Sequence, residues 1–184
     1  MNNSEKYHFS DFTLSHYKLI LNKLKENHIF SSYDDFDVKS RFVLKRHDVD
    51  FCLNNALKMA KIEFSLGVKS TYFLMLHCEF YNLLEFKNIE IIKEIKKLGH
   101  DIGLHFDSEF YNIIDENLLD EKISFERLIL ENFTCSKIKS FSFHNPSEFI
   151  LTCDKDQYGG LINTYSKFFK LNLGYCSDSN GHWR

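Results

Sequence analysis

The chain has 184 residues, of which 43% are hydrophobic and 16% aromatic. This is enough to bury one core and short of what two domains usually need, so we expect a single domain over residues 1–184. Lys and Arg number 23 against 26 Asp and Glu, a net charge of -3. The protein therefore has no overall positive electrostatic potential that would attract nucleic acid or an anionic membrane, and its partners must bind at local sites.

The amino-terminal residues contain no signal-peptide core, and no apolar run approaches the ~20 residues of a membrane helix. The five cysteines include no C-x-x-C pair, which argues against a zinc ribbon or a disulfide framework and favours free thiols. We therefore predict a cytoplasmic protein without a membrane span. The oligomeric state is not set by the sequence.

Strands alternate with helices along the chain. Apolar residues at helical spacing after Thr13 predict an opening helix over about 13–27. Four β/α units follow, with strands and helices at 42–47 and 53–66, 70–76 and 89–98, 101–106 and 118–132, and 138–143 and 161–169, before a last strand at 174–177. This alternation predicts a parallel sheet or a β/α barrel.

Polar clusters follow all five strands, and four of the five contain histidine. They are His47-Asp48-Val49-Asp50, His77-Cys78-Glu79, His105-Phe106-Asp107, His144-Asn145-Pro146 and Ser177-Asp178-Ser179-Asn180. The carboxyl ends of parallel strands meet at one edge, where sites form. Because histidine is a common metal ligand and proton shuttle but a mediocre turn former, the set favours a metal-assisted or acid/base site.

Asp48 and Asp50 are two residues apart, so on a strand their side chains point the same way and can converge on one metal ion or one water. The alternative is that Asp50 caps the following helix while Asp48 is solvated.

Five segments together resemble the polysaccharide deacetylase (NodB-homology, carbohydrate esterase family 4) superfamily, in the family's order from about residue 42 onward. They are R-H-D-V-D at 46–50, L-G-V-K-S-T-Y-F at 66–73, G-H-D-I-G-L-H at 99–105, F-H-N-P at 143–146 and S-D-S-N-G-H-W-R at 177–184. The resemblance implies a distorted β/α barrel with fewer than eight strands. No late Leu-x-x-His motif follows the last segment, so we expect a barrel that is incomplete at the carboxyl end.

The resemblance also implies roles for single residues. Asp48 would be the general base, and Asp50 and His105 would bind a divalent metal, zinc first, with nickel, cobalt or iron as alternatives. The family has a second histidine where this chain has Glu109. We expect His144 as the third ligand, with Glu109 or Asp107 as alternatives.

His144 also stands where the family has an arginine that orients the base, so it has a second, catalytic interpretation. We assign substrate binding to five further residues: His47, Asn145, Asp178, Asn180 and Trp183. Trp183 either lines a sugar-binding cleft or closes the barrel.

The resulting hypothesis is a metal-dependent hydrolase that removes an acetyl or other acyl group from an amino sugar, sugar nucleotide or polysaccharide precursor. The competing hypothesis is a catalytically inactive domain that binds carbohydrate or assists polysaccharide assembly. Asp48→Asn or His105→Ala should abolish deacetylation in the first case.

Overall fold

A computed structural model of the chain describes residues 13–177. Within them six helices are found: α1 Leu14–Lys25, α2 Leu53–Ser65, α3 Phe86–Lys97, α4 Glu116–Thr134, α5 Glu148–Thr152 and α6 Lys167–Asn172. Eight strands are found: β1 Ile29–Phe30, β2 Phe42–Val43, β3 Arg46–Val49, β4 Thr71–Leu74, β5 Asp101–Asp107, β6 Ser140–His144, β7 Gln157–Tyr158 and β8 Leu161–Asn163. No helix in this range is long and apolar enough to cross a membrane.

The main sheet has six strands in the order β3-β4-β5-β6-β8-β7. Its first five strands are parallel, and β7 runs antiparallel to β8. The parallel α/β architecture expected from the sequence is therefore confirmed. Strands β1 and β2 form a separate two-stranded parallel sheet.

The sheet is not closed into a barrel, because no strand pairing in residues 13–177 joins the edge strands β3 and β7. Six strands are fewer than the roughly eight that close the smallest filled barrels. The sheet nevertheless curves strongly. Arg46 on edge strand β3 donates to Thr164 Oγ1, just past β8, at 3.1 Å. A side chain thus bridges the gap that a strand would fill in a closed barrel.

The two faces of the sheet differ in chemistry. The convex face carries buried apolar side chains such as Leu74, Leu104 and Phe106, packed with α2, α3 and α4. The concave face carries polar residues at alternate positions, because side chains two apart on a strand share a face. Asp48, His105 and Ser142 are the members of this face that matter for the site.

The chain after β6 departs from the prediction. Residues 161–169 were expected to form a helix, but they contain strand β8 and only the start of α6. Gly159 and Gly160, with φ of 55° and 75°, form the two-residue turn between β7 and β8. Such a turn requires positive φ at both positions, and glycine adopts it without strain. The strand predicted at 174–177 is absent from the described residues.

Candidate metal centre

Asp50, His105 and His144 come together at the carboxyl edge of the sheet. His105 Nε2 lies 3.1 Å from Asp50 Oδ1, and His144 Nδ1 lies 3.5 Å from Asp50 Oδ1 and 3.3 Å from His105 Nε2. Three different strands supply these residues. Asp50 directly follows β3, His105 lies in β5 and His144 ends β6.

The spacing of these three atoms fits a divalent cation. Bonds of 2.0–2.2 Å to nitrogen and oxygen put tetrahedral ligand atoms about 3.4 Å apart. Asp50 Oδ1 is also buried without a hydrogen bond, which is costly unless a cation or proton satisfies it. One carboxylate and two imidazoles form a donor set suited to zinc and to other first-row metals.

The ionisation of Asp50 agrees with this arrangement. Burial raises the pKa of Asp50, but His105 and His144 in their protonated forms outweigh burial and hold its pKa below the ordinary value. The carboxylate is therefore in the anionic form that binds metal.

Asp48 lies beside this cluster and has its own partners. Arg46 Nη2 donates to Asp48 Oδ2 at 2.7 Å, and Ser142 Oγ donates to Asp48 Oδ1 at 3.1 Å. The contacts of His144 are with Asp50, His105 and Asn145. Arg46 and Ser142, rather than His144, thus hold the carboxylate expected to act as base.

Arg46 is well fixed for this role. Its guanidinium lies 5.3 Å from the ring centre of Tyr165 and 5.8 Å from that of Phe73. Burial lowers the pKa of Arg46, but Asp48, Tyr33 and Tyr165 together outweigh burial and raise the pKa above its ordinary value, so the guanidinium stays charged. No role was predicted for Arg46 from the sequence, although its position two residues before Asp48 places both side chains on one face.

The alternative ligands Asp107 and Glu109 do not join the cluster. Asp107 Oδ1 accepts hydrogen bonds from the backbone N–H groups of Glu109 and Phe110, and so caps the turn after β5. Glu109 is exposed on that turn. Of the three candidates for the third ligand, the structure brings His144 to Asp50 and His105.

His47 lies on the opposite face of β3 from Asp48, as the alternation of a strand requires. Its Nε2 lies 2.6 Å from Glu63 Oε1 on α2, and its ring stacks on Tyr72. Burial is the main reason that the pKa of His47 is below its ordinary value, although Glu63 opposes it. The structure therefore gives His47 buried partners between sheet and helix and does not bring it to the cluster as a substrate ligand.

His77 also lies apart from the cluster, although its segment follows β4. Its Nε2 is 3.0 Å from the Tyr111 hydroxyl and 3.1 Å from Glu126 Oε1, and its ring stacks on Phe110. Glu126 is buried in α4, and burial raises its pKa to about 8. His77 thus belongs to a polar cluster with Tyr111 and Glu126, which is separate from that of Asp50, His105 and His144.

Asn145 lies next to the cluster, with Nδ2 3.0 Å from His144 Nε2. Its φ of 38° is in the left-handed region, which asparagine tolerates better than most residues and which is enriched at functional sites. The remaining predicted substrate residues, Asp178, Asn180 and Trp183, lie outside the described residues.

No protein-family model and no curated protein matches the sequence. Among solved structures, the chain is similar to the Streptococcus pyogenes deacetylase PplD in complex with acetate, with a TM-score of 0.53 and 13% identity over 73% of this chain and 64% of that one. It is also similar to IcaB from Ammonifex degensii, with a TM-score of 0.55 and 14% identity over 83% of this chain and 78% of IcaB. A family 4 carbohydrate esterase from Bacillus anthracis gives a TM-score of 0.45 at 17% identity, over 67% of this chain and 56% of the esterase.

The chain thus spans less than two thirds of the length of PplD. At these identities the similarity concerns the fold. The likeness to PplD and IcaB agrees with the motif resemblance of the sequence, and the chain has the NodB-type polysaccharide deacetylase fold.

Proposed function

We propose that this protein is a metal-dependent hydrolase that removes an acetyl group from an amino sugar within an uncharged glycan. The observation that carries the proposal is the convergence of Asp50, His105 and His144 at ligand-like distances beside a held carboxylate, Asp48. Zinc is the metal that we propose. A cytoplasmic location remains a prediction from the sequence.

A divalent cation at this site would polarise the acyl carbonyl and lower the pKa of a bound water. Asp48 would take the proton of that water as the general base. Arg46 and Ser142 fix the orientation of Asp48, so Asp48 would lose little further conformational freedom when the reaction takes place. One water is consumed, the carbon–nitrogen bond breaks, and acetate and an amine leave.

The surroundings of the cluster support an uncharged substrate. Arg46 beside the cluster is already paired with Asp48. Apart from it, the described segments that lie near the cluster or follow the strands, residues 50–54, 75–82, 107–115, 144–148 and 163–166, contain Asp and Glu but no Lys or Arg. Phosphate groups are usually bound by Arg or Lys. We therefore favour a neutral amino-sugar glycan over a sugar nucleotide.

A surface cavity of about 420 Å³ lies beside the cluster and is lined by Leu76, Cys78, Glu79, Phe80, Tyr81 and Asn82. It is tied to the metal centre, because Cys78 Sγ donates to the Asp50 carbonyl oxygen at 3.2 Å. The ring of exposed Phe80, which lines the cavity, has its centre 4.7 Å from that of exposed Phe51. Aromatic rings together with a few polar groups are typical of small-molecule sites.

The test uses purified protein stripped of metal by a chelator and refilled with zinc. Acetate release from N-acetylated oligosaccharides should require the metal. Asp48→Asn should keep about one equivalent of zinc and lose roughly 10²–10⁴-fold in kcat, the usual contribution of a general base. His105→Ala and His144→Ala should lose both zinc and activity.

Glu109→Ala is the matched control, because Glu109 occupies the position of the family's second histidine yet lies outside the cluster. It should retain zinc and activity. Turnover by metal-free protein would contradict the proposal. Zinc-independent glycan binding without turnover would instead support the competing hypothesis of an inactive carbohydrate-binding domain.

A further inference from the structure

Ser142 connects the two chemical parts of the site. Its side chain is fully buried on β6, in register with His105 on β5. Ser142 Oγ lies 2.8 Å from His105 Nδ1 and 3.1 Å from Asp48 Oδ1. One hydroxyl thus contacts both a proposed metal ligand and the proposed base.

The number of hydrogens decides the direction of these two bonds. An ionised carboxylate only accepts hydrogen bonds, and Asp48 is paired with Arg46 in that form. The hydroxyl hydrogen of Ser142 therefore goes to Asp48. Because a hydroxyl has one hydrogen, Ser142 Oγ must accept from His105, and Nδ1 of the neutral imidazole carries the proton.

This tautomer leaves a lone pair on His105 Nε2, the atom that lies 3.1 Å from Asp50 Oδ1. Two acceptors at that distance repel one another unless a cation lies between them. Without the acceptor at Ser142, the proton would be free to occupy Nε2, where it can bond to Asp50 in place of a metal. The choice of tautomer therefore bears directly on metal affinity.

We propose that Ser142 is a positioning residue that fixes His105 in the Nδ1–H tautomer and, with the same hydroxyl, orients Asp48. The proposal rests on the proposed function only in taking Asp50, His105 and His144 as the metal ligands.

The experiment compares Ser142→Ala with Ser140→Ala, a matched control two residues earlier on β6 that is also buried. Long-range ¹H–¹⁵N spectra of the metal-free protein, recorded well above the ordinary histidine pKa of about 6.5, identify the tautomer. Wild type and Ser140→Ala should show His105 protonated at Nδ1. Ser142→Ala should shift the proton towards Nε2.

Zinc titration gives the second measurement. Ser142→Ala should bind zinc roughly 10–100-fold more weakly, the usual cost of losing a partner that orients a ligand, while Ser140→Ala should be unchanged. Ser142→Thr, which keeps the hydroxyl, should recover most of the loss. Ser142→Gly provides the same test if the alanine variant does not fold.

A wild-type His105 protonated at Nε2, or a zinc affinity of Ser142→Ala equal to that of Ser140→Ala, would overturn the proposal. These readouts need no turnover. A wild type that binds zinc with the expected tautomer but releases no acetate would refute the proposed function alone. Full deacetylase activity with the wrong tautomer would refute the role of Ser142 alone.

Discussion

Glu63 is a fully buried carboxylate that joins four elements of the fold. Its oxygens accept hydrogen bonds from Tyr17 on α1, Tyr72 on β4 and His47 on β3. Burial raises the pKa of Glu63, but His47 and the two hydroxyls outweigh it and bring the pKa to about 2. Three hydrogen bonds thus satisfy the buried charge of Glu63, and the loss of any one of these partners would leave that charge poorly compensated.

Protonation of Glu63 should therefore destabilise the fold. The pKa of about 2 in the folded state lies below the ordinary glutamate value of 4.5. Its contribution is thus fully present above pH 4.5 and is lost as pH falls towards 2, an effect on the order of 3 kcal/mol. Glu63→Gln should lower the free energy of unfolding near neutral pH and flatten its fall in acid, measured by urea denaturation across pH.

Glu121→Gln is the control for this prediction, because Glu121 is an exposed glutamate on α4. It should leave the acid dependence unchanged. Equal curves for Glu63→Gln and wild type over the acid range would show that the hydrogen bonds to Glu63 do not stabilise its ionised form.

The sequence predicted the residues of the Asp50, His105 and His144 cluster better than their supporting residues. These three could be found because each lies at or near the end of a predicted strand and has metal-binding chemistry. Ser142 and Glu63 could not be found this way, since serine is common and glutamate is normally exposed. The alternation of β3 was sufficient to place His47 opposite Asp48, and applying it would have removed His47 from the candidate substrate residues.

At the scale of elements, Gly103 determines how closely β4 and β5 pack. The register Phe73↔Gly103 is followed without interruption by Leu74↔Leu104, so this glycine does not mark a bulge. A Cβ atom at Gly103 would instead overlap the ring of Phe73 and lie 3.1 Å from the Ser140 carbonyl oxygen. Phe73 is fully buried, so its ring could shift only against packed neighbours.

Gly103→Ala should accordingly destabilise the protein by about 1–3 kcal/mol, the usual cost of excess volume in a packed interior. Urea denaturation measures the loss. Gly174→Ala is the matched control, because a Cβ there meets nothing within 4 Å. If both variants unfold at the same urea concentration, the close approach of Phe73 does not restrict this position.

The elements from α2 to β6 were predictable because each long helix has a periodic apolar face and β4, β5 and β6 are rich in apolar residues. The single strand predicted at 42–47 instead divides into β2 and β3, which lie in different sheets. The hairpin of β7 and β8 was missed, since its two short strands are below the length at which periodicity separates strand from helix. The sequence feature that indicates this hairpin is the pair Gly159-Gly160. Asn163, at the end of β8, holds the hairpin against the segment before β7 by donating to the carbonyl oxygens of Cys153 and Lys155.

At the scale of the whole molecule, the curvature of the open sheet brings distant segments to one site. Asp48 on β3 and Ser142 on β6 are separated in the sheet by two strands, yet their side chains are 3.1 Å apart. Local sequence patterns do not encode this curvature. They predicted which strands exist, whereas the contacts across the concave face follow from how the complete sheet bends.

The same edge of the molecule exposes aromatic side chains where a substrate would approach. Phe51 follows Asp50 directly, and Phe80 lies two residues after Cys78, whose thiol contacts the Asp50 carbonyl oxygen. Both rings are more than 60% exposed. Exposed aromatic rings next to the Asp50, His105 and His144 cluster favour contact with the apolar face of a sugar ring over a purely structural role.

Phe51→Ala and Phe80→Ala should therefore each weaken binding of a neutral N-acetylated oligosaccharide by about 1 kcal/mol, roughly a fivefold rise in Kd, with zinc content unchanged. Titration calorimetry on the zinc-loaded protein measures the effect. Phe125→Ala is the control, since Phe125 is an exposed phenylalanine on α4 and does not line the cavity beside the cluster. Equal affinities for all three variants would show that the ring pair does not contact the glycan. Tight binding of a sugar nucleotide would show that the absence of Lys and Arg from the segments around the cluster does not select neutral substrates.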